Sequence, residues 1–189
     1  MRDVRPDAIP AAFYERPVEH VAPDLLGASL CASRPEEPLR GTIVETEAYG
    51  GPDDLASHSA FRRNGVVRAM WGPPGTLYVY LAYGMYPCFN VVTGAAGQPS
   101  AVLIRALSIV EPEPDDRSAS GPGRLGRYIG LNATHNGHNL VYPPFWIEPG
   151  KMPESGIACG PRIGVKRGDG RAWRFGIPSH PALSAAGLG

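Results

Sequence analysis

The stretch GTIVETEAY, residues 41–49, carries the clearest strand pattern in the sequence. Its β-branched residues and terminal tyrosine favour an extended strand, and the run Gly50-Gly51-Pro52 that follows ends it. Two runs of the same character come later, GTLYVYLAYGMY and SAVLIRAL, and predict strands over 76–83 and 100–107. These segments indicate a folded domain, although glycine and proline supply 24 and 21 of the 189 residues.

Shorter patterns complete the predicted secondary structure. Apolar residues at helical spacing predict a helix from Val18 to Leu26, which Pro23 weakens and Gly27 ends. A second short helix is expected over 123–130. Further strands are expected over 28–33, 140–146, 157–165 and 173–177. Most strands lie too close along the chain for helical crossovers, so we expect a mixed, largely antiparallel sheet with a few helices against it.

The bulk composition argues against several classes of protein. A chain of 189 residues fits one domain. Cys31, Cys88 and Cys159 have no close spacing, which argues against a disulfide framework or a zinc cage. The polar N-terminus does not predict a signal peptide, and no apolar run approaches membrane-spanning length. We therefore expect a soluble monomer without membrane contact in the cytoplasm, associated with the nucleoid if the source is bacterial.

Charge is unevenly distributed along the chain. The formal net charge is zero, but residues 1–116 hold 9 basic and 15 acidic residues, whereas residues 117–189 hold 9 basic and 3 acidic ones. Sixteen of the 18 basic residues are arginine, which suits planar contacts with phosphates and bases. Two interpretations stay open: a nucleic-acid-binding face built largely from the C-terminal part, or the composition of a GC-rich genome.

Two glutamates in the first strand are candidates for general acid–base chemistry. Alternate residues of a strand share a face, which places Ile43, Glu45 and Glu47 together. Carboxylates at positions i and i+2 lie roughly 6.6 Å apart, and in an apolar cleft one of them can become a general base. An ordinary solvated strand face is the alternative interpretation of the same pattern.

Tyrosines are concentrated in and after the second strand. Tyr78, Tyr80, Tyr83 and Tyr86 fall within nine residues, and Tyr83 precedes Gly84, where the chain can turn and present a side chain outward. Flat aromatic rings suit stacking on a nucleobase. Because tyrosine also forms strands readily, a sheet core or an interface is the alternative.

Four segments resemble the 3-methyladenine (alkyladenine) DNA glycosylase family. They are GTIVETEAYGGPDDLASHSA, MWGPPGTLYVYLAYGMYPCFNVVT, AVLIRAL and SGPGRLGRYIGLN, and the similarity extends from about residue 13 to residue 177. The resemblance implies an α+β fold, in which a single compact domain over 1–189 holds a curved, mainly antiparallel sheet and a few short helices. Residues 1–12 and 178–189 are expected to be loosely ordered ends.

The resemblance also implies roles for side chains in and around a base pocket. Glu47 matches the general base, and Arg105 matches an arginine that helps to hold the catalytic water. The walls of the pocket match Tyr49, His58 and Tyr80. Asn90 matches a pocket residue that obstructs the amino group of normal guanine.

Other residues are assigned to the duplex by the same resemblance. Tyr83 matches the wedge that fills the gap left by a flipped nucleotide, and Met70 matches a second apolar residue that probes the duplex. The expected contacts with the DNA backbone are Arg62, Arg63, Arg68, Gly123 and Arg124. Two segments depart from the family pattern: residues 111–117 are short, acidic and proline-rich, and Pro73 stands where many relatives carry a basic or polar residue.

The implied activity is base excision from damaged double-stranded DNA. An alkylated or deaminated purine, of the 3-methyladenine, hypoxanthine or ethenoadenine type, is flipped out of the duplex, and a water activated by Glu47 cuts its bond to the sugar. The resemblance implies no cofactor and no metal. The only lysines, Lys151 and Lys166, lie outside the motifs, so we expect no Schiff base and a monofunctional enzyme.

Three other interpretations remain. The chain could be a damage-binding module without catalysis on the same scaffold. It could instead hydrolyse glycosides or free nucleosides with Glu45 and Glu47 as an acid–base pair, although two carboxylates on one strand face poorly suit attack from the opposite side. His135 and His138 could bind a metal, but their polar loop carries no partner ligand, which favours plain loop surface.

Overall fold

A curled antiparallel sheet organises the computed structural model, which describes residues 4–35, 37–165 and 170–188. Its main path runs β3-β4-β5-β2-β1-β6, and β8 joins β2 to β7. The strands are β1 (Ser29–Ala32), β2 (Leu39–Tyr49), β3 (Leu77–Ala82), β4 (Tyr86–Thr93), β5 (Ser100–Glu111), β6 (Phe145–Glu148), β7 (Ala158–Gly160) and β8 (Arg174–Gly176). The prediction of an α+β fold with a curved, mainly antiparallel sheet is confirmed.

Short helices pack against this sheet. They are α1 (Ala11–Tyr14), α2 (Val18–Asp24) and α3 (Pro122–Tyr128), with 3-10 turns at His58–Ala60, Gly65–Trp71 and Ala133–His135. The two predicted helices are confirmed. Pro23 lies in the last turn of α2, where it cannot donate to the carbonyl four residues earlier, and the helix ends one residue later. Within the described part of the chain, no helix has the length and hydropathy needed to cross a membrane.

The strand β4 was not predicted, and two predicted strands are shorter than expected. Pro87 argues against a strand in the sequence because proline cannot donate a hydrogen bond to a neighbouring strand. In the structure β4 pairs with β5 only from Asn90 onward, so no donor is needed there at Pro87. The expected strand over 140–146 begins only at Phe145, after Pro143 and Pro144. Of the expected strand over 157–165, only Ala158–Gly160 is extended and paired.

The main core lies between α2 and the face of the sheet that α2 covers. Each large apolar side chain buried there contributes roughly 1.5–3 kcal/mol relative to exposure. Its fully buried members include Tyr14, Leu25, Leu30, Ile43, Leu77, Phe89, Ile104 and Leu107.

A bulge in β2 decides which residues face the core. Ile43 pairs with Leu107 and Glu45 with Ala106, so Val44 is an extra residue in the strand. Ile43 packs in the main core, whereas Val44 packs with Ala106 in a separate small cluster. The prediction that Ile43 shares a face with Glu45 and Glu47 is therefore wrong, because the bulge shifts the alternation by one residue. The two glutamates do share a face, on the side of the sheet away from α2.

Residues 178–188 run along that second side of the sheet. Ala182 and Leu188 are buried there. Whether the ends of the chain, 1–12 and 178–189, are loosely ordered in solution stays a prediction.

Candidate active site

A cavity of about 570 Å³ opens beside β3, β4 and β5. Its volume lies within the range of about 300–1,000 Å³ that is usual for small-ligand pockets. Loops that contain Leu55–His58 and Ile163–Val165 close two of its sides. Aromatic and polar side chains dominate the wall, among them Tyr49, His58, Tyr78, Tyr80, Asn90 and Arg105. The sheet thus brings residues from four distant segments to one concave site.

Glu47 lies directly behind this wall and is fully buried. Its Oε2 accepts hydrogen bonds from the Tyr49 hydroxyl at 2.8 Å and from Arg105 Nη1 at 3.1 Å. Its Oε1 accepts one from the Ile163 backbone N–H at 2.7 Å. All three donors belong to residues that line the cavity. Hydrogen bonds to a carboxylate are short and strong, so they fix its orientation immediately beneath the cavity.

Arg105 links the cavity to both glutamates of β2. It is 6% exposed, and its Nε lies 3.2 Å from Glu45 Oε1 while Nη1 contacts Glu47. Its backbone carbonyl accepts a hydrogen bond from Gly121 N–H, just before α3. The predicted juxtaposition of Glu47, Tyr49 and Arg105 is therefore present in the structure.

The aromatic wall is a set of interlocking rings. His58 Nδ1 and the Tyr78 hydroxyl share a hydrogen bond of 2.8 Å, and the His58 ring meets the Tyr80 ring edge-on with centroids 4.5 Å apart. Burial lowers the pKa of His58, and the nearby Arg62 guanidinium lowers it further, so the imidazole is neutral at neutral pH. Burial is also the main cause that raises the pKa values of Tyr49, Tyr78 and Tyr80, which keeps these phenols protonated.

Asn90 is held rigidly at the base of the cavity. It is 3% exposed, and its Nδ2 donates to the carbonyl oxygens of Tyr78 and Cys88, both at 3.1 Å. Because both amide hydrogens are engaged, Oδ1 is the remaining polar atom of the side chain. A ligand that enters the cavity therefore meets an amide that cannot rotate without losing two hydrogen bonds.

The chain matches a known family over most of its length. Residues 12–181 fit the family model described as Methylpurine-DNA glycosylase (MPG). The chain belongs to the methylpurine-DNA glycosylase family. The prediction of a DNA glycosylase is thereby confirmed at the level of the family.

Individual relatives of this glycosylase share up to about half of its residues. A protein of Myxococcus xanthus (strain DK1622) is 48% identical over 158 residues, which cover 83% of this chain and 81% of the relative. A protein of Streptomyces avermitilis is 40% identical over 95% of this chain and 92% of its own. A protein of Anaeromyxobacter dehalogenans (strain 2CP-1) is 41% identical over 93% of this chain and 85% of its own. All three are named "Putative 3-methyladenine DNA glycosylase".

Tyr83 of the glycosylase stands at the mouth of the cavity. It occupies the tip of the β3–β4 hairpin, is 92% exposed and has a φ of +53°. A non-glycine residue in this left-handed region is strained, and such strain concentrates at functional sites. Leu81 and Met85 beside it are also exposed. The hairpin therefore presents an apolar tip to solvent, as a wedge requires.

Met70 does not occupy the predicted surface position. It is 1% exposed and packs with Val67, Tyr78 and Val92 against the cavity. In the 3-10 turn over Gly65–Trp71, residues three apart point the same way, so Val67 and Met70 both face inward. A buried side chain cannot probe a duplex, and the prediction for Met70 is corrected to a place in the pocket wall.

The residues predicted to contact the DNA backbone are four exposed arginines and one glycine that packs against Tyr86. Arg62, Arg63, Arg68 and Arg124 are exposed, as a phosphate contact requires. Gly123 lies against Tyr86, because a Cβ on it would come within 3.1 Å of Tyr86 Cβ. This glycine lets α3 approach β4, and its role toward DNA stays a prediction.

Some of the basic side chains of residues 117–189 are buried inside the protein. Arg162 is 8% exposed and forms a bidentate ion pair with buried Asp54, at 2.5 and 2.8 Å. Its guanidinium also lies 4.9 Å from the centre of the Tyr49 ring. Arg174 is buried against Glu45. Two cations of residues 117–189 thus neutralise acids of residues 1–116, so the charge asymmetry overstates any basic face.

Several residues of the site had no role assigned from the sequence. Tyr78 is the hydrogen-bond partner of His58, and the alternation of Tyr78 with Tyr80 was the available signal. Arg162, Arg174 and Ser184 meet the site only through contacts distant in sequence, and Asp54 is recognisable only through its ion pair with Arg162.

The loop histidines hold their own loop together. His135 Nδ1 accepts from Asn132 N–H in a helix cap, and His138 Nε2 lies 2.9 Å from the carbonyl oxygen of Tyr142. Across the ranges that the structure describes, no group of three or more His, Cys, Asp or Glu side chains is arranged to hold a metal ion.

Proposed function

We propose that this chain is a monofunctional DNA glycosylase that excises alkylated or deaminated purines from duplex DNA, of the 3-methyladenine, hypoxanthine or ethenoadenine type. The observation that carries the proposal is the buried Glu47 carboxylate, held by Tyr49 and Arg105 beneath an aromatic cavity. The names of the relatives agree with the first of these substrates.

The first step is extrusion of the nucleotide. An enzyme cannot reach the glycosidic bond of a stacked base, and extrusion costs a few kcal/mol, less for a damaged base. The exposed Tyr83 ring fills the gap that the base leaves, which offsets part of that cost. Tyr49, His58 and Tyr80 then contact the flat faces and edges of the purine, and stacking contributes about 1–3 kcal/mol per base.

Hydrolysis follows in the cavity. A water oxygen forms a bond to C1′ of the sugar, the C1′–N bond breaks, and its electron pair leaves with the base. Glu47 accepts the proton of the water and stabilises the positive charge that develops on the sugar. Arg105 helps to hold that water beside Glu47. The step uses no cofactor or metal.

Selection against normal guanine rests on Asn90. The two hydrogen bonds to Tyr78 and Cys88 fix the amide, so a base with an exocyclic amino group at that edge cannot push it aside. Hypoxanthine has the guanine framework without this amino group and is accommodated.

The monofunctional character rests on the lysines. The backbone carbonyl of Lys151 packs against Gly27. Among the described residues, Lys151 is not one of those that line the cavity. Lys166 lies outside the described residues. Trapping of a borohydride-reduced enzyme–DNA adduct would contradict this part of the proposal.

Backbone contacts come from exposed arginines around the site. Arg62, Arg63 and Arg68 lie between β2 and β3, and Arg124 lies on α3 beside Gly123. Their guanidinium groups and the backbone of Gly123 would hold phosphates and fix the register of the duplex. A monomeric state and a cytoplasmic location remain predictions.

The decisive experiment compares substrates and one variant. Duplexes that carry hypoxanthine, ethenoadenine or 3-methyladenine are incubated with the wild type and with Glu47→Gln, and released base and duplex binding are measured. We expect the wild type to release base from duplexes but not from free nucleosides, and the variant to bind without cutting. Full activity of Glu47→Gln, or hydrolysis of free nucleosides alone, would refute the proposal. Binding of lesions without release by the wild type would indicate a damage-binding module.

A further inference from the structure

A second buried carboxylate, Glu45, lies beside Glu47 but takes no part in the proposed reaction. Like Glu47 it is fully buried, but two of its partners, Arg174 and Ser184, are absent from the cavity wall in the described part of the chain. Its Oε1 accepts from Arg105 Nε at 3.2 Å and from Arg174 Nε at 2.7 Å. With two carboxylates and two guanidinium groups, this buried cluster is neutral, as buried charges require. Glu45 thus holds two arginines in place, one of which, Arg105, lines the cavity.

Ser184 completes the contacts of this cluster. Its backbone N–H donates to Glu45 Oε2 at 2.6 Å, and its hydroxyl donates to Glu45 Oε1 at 3.0 Å. The same hydroxyl oxygen accepts from Arg105 Nη2 at 3.1 Å and Nε at 3.3 Å. A hydroxyl has one donor and two acceptor sites, so all of them are used.

These contacts fix the plane of the Arg105 guanidinium. Glu45 and Ser184 hold its Nε and Nη2 edge, and because the group is planar, Nη1 is then directed at Glu47. Without the Ser184 hydroxyl, Nη2 has no acceptor among the described residues, and the orientation of the group rests on its bonds to Glu45 and Glu47 alone.

The backbone around Ser184 is itself anchored. Arg174 donates through Nη2 to the carbonyl oxygen of Ala185 at 2.6 Å and through Nη1 to that of Ala186 at 3.1 Å. Ala182 is buried in a small cluster with Val44. Loss of the hydroxyl therefore leaves the segment in place, and its effect can be separated from unfolding.

We propose that Ser184 is a positioning residue that acts through Arg105 to set the orientation of the Glu47 carboxylate. The inference rests on the proposed function of Glu47 and Arg105. Misplacement of a catalytic group by about 1 Å can cost on the order of 100-fold in rate. A tilt of Arg105 would slow bond cleavage and leave the aromatic rings of the wall in place.

The test separates cleavage from binding. Single-turnover base release and affinity for a lesion duplex are measured for the wild type, Ser184→Ala, Ser184→Thr and Ser108→Ala. Ser108 lies on β5 with Arg105 and bonds Asp116 instead, so it provides the matched loss of a serine hydroxyl. We expect Ser184→Ala to lower the rate by about 10- to 100-fold at unchanged affinity. Ser184→Thr, which keeps the hydroxyl, should restore most of the rate, and Ser108→Ala should keep it.

A wild-type rate for Ser184→Ala, an equal loss of rate and affinity, or no rescue by threonine would each overturn the inference. A second readout needs no catalysis. The Nε–Hε NMR signal of Arg105 should shift in Ser184→Ala and not in Ser108→Ala, and an unchanged signal would also overturn it. If the wild type releases no base, the proposed function fails, and the NMR signal alone then decides whether Ser184 positions Arg105.

Discussion

The Tyr49 hydroxyl donates a hydrogen bond of 2.8 Å to Glu47 Oε2, from two residues further along the same strand. One side chain therefore serves both the wall of the cavity, through its ring, and the carboxylate behind it, through its hydroxyl. The position of Tyr49 on the same strand face as Glu47 makes this contact possible.

Replacement of Tyr49 by phenylalanine should separate these two roles. A hydrogen bond to a charged group contributes about 1.5–3 kcal/mol, so we expect cleavage to slow by roughly 10- to 100-fold. Affinity for a lesion duplex should be kept because the ring remains. Single-turnover release and titration of the duplex measure the two quantities. Tyr142→Phe, the same change on a residue outside the cavity wall, is the control, and equal rates for both variants would refute the prediction.

Replacement of Tyr83 by alanine tests the wedge. The ring is 92% exposed and contributes little to the folded protein, so we expect unchanged thermal stability. Lesion-specific binding should weaken more than binding to undamaged duplex, because only the flipped state leaves a gap to fill. Phe61→Ala removes another exposed aromatic ring and is the control. Equal loss of specific and nonspecific affinity in Tyr83→Ala would argue against a wedge.

Replacement of Asn90 by alanine should weaken discrimination against guanine. The variant makes room for the exocyclic amino group, so the ratio of hypoxanthine to guanine release should fall. It also leaves the carbonyl oxygens of Tyr78 and Cys88 without their donor, which costs about 1–3 kcal/mol of stability. Single-turnover assays below the unfolding temperature measure the ratio, and an unchanged ratio would remove Asn90 from the selection of bases.

The ion pair between Asp54 and Arg162 should make stability depend on pH. Burial alone would raise the pKa of Asp54, but hydrogen bonds from Arg162 and from the N–H groups of Gly50 and Ala56 outweigh it and lower the pKa. A lowered pKa in the folded state gives stability that is present above the unfolded value of about 3.9 and is lost as the pH falls through the folded value.

Asp54→Asn should therefore be less stable than the wild type at neutral pH, and the difference should shrink below about pH 4. Urea unfolding at several pH values measures the difference in the free energy of unfolding between the two proteins. Asp53→Asn, on an exposed neighbour, is the control. A difference that stays constant from neutral to acidic pH would show that the charge of Asp54 contributes no stability.

The sequence was sufficient to predict the parts of the fold that have a local signal. The strands around Thr46, Val79 and Ile104 and the helices α2 and α3 were predicted because periodicity and end signals are local properties. The single turn α1 was not predicted. The bulge at Val44 was not predicted, since an extra residue is visible only once the partner strand is known.

The residues of the candidate site also fall into those that a local motif predicts and those that only the fold brings together. Glu47, Tyr49, His58 and Arg105 fall within motifs, and the structure brings them together. The contact between Glu45 and Ser184 joins residues 139 positions apart and has no local pattern. Met70 was misplaced because spacing within a motif does not tell which side of a 3-10 turn faces inward.

The order of these contacts along the chain has a consequence for biosynthesis. Glu47 and Arg105 leave the ribosome well before Ile163, whose backbone orients the carboxylate, and before Ser184, which anchors the guanidinium. A nascent polypeptide that has reached only the fifth strand holds two opposite charges and neither of their late anchors. If Glu47 acts as proposed, a polypeptide that stops before Ile163 should therefore release base more slowly than the chain that includes both anchors.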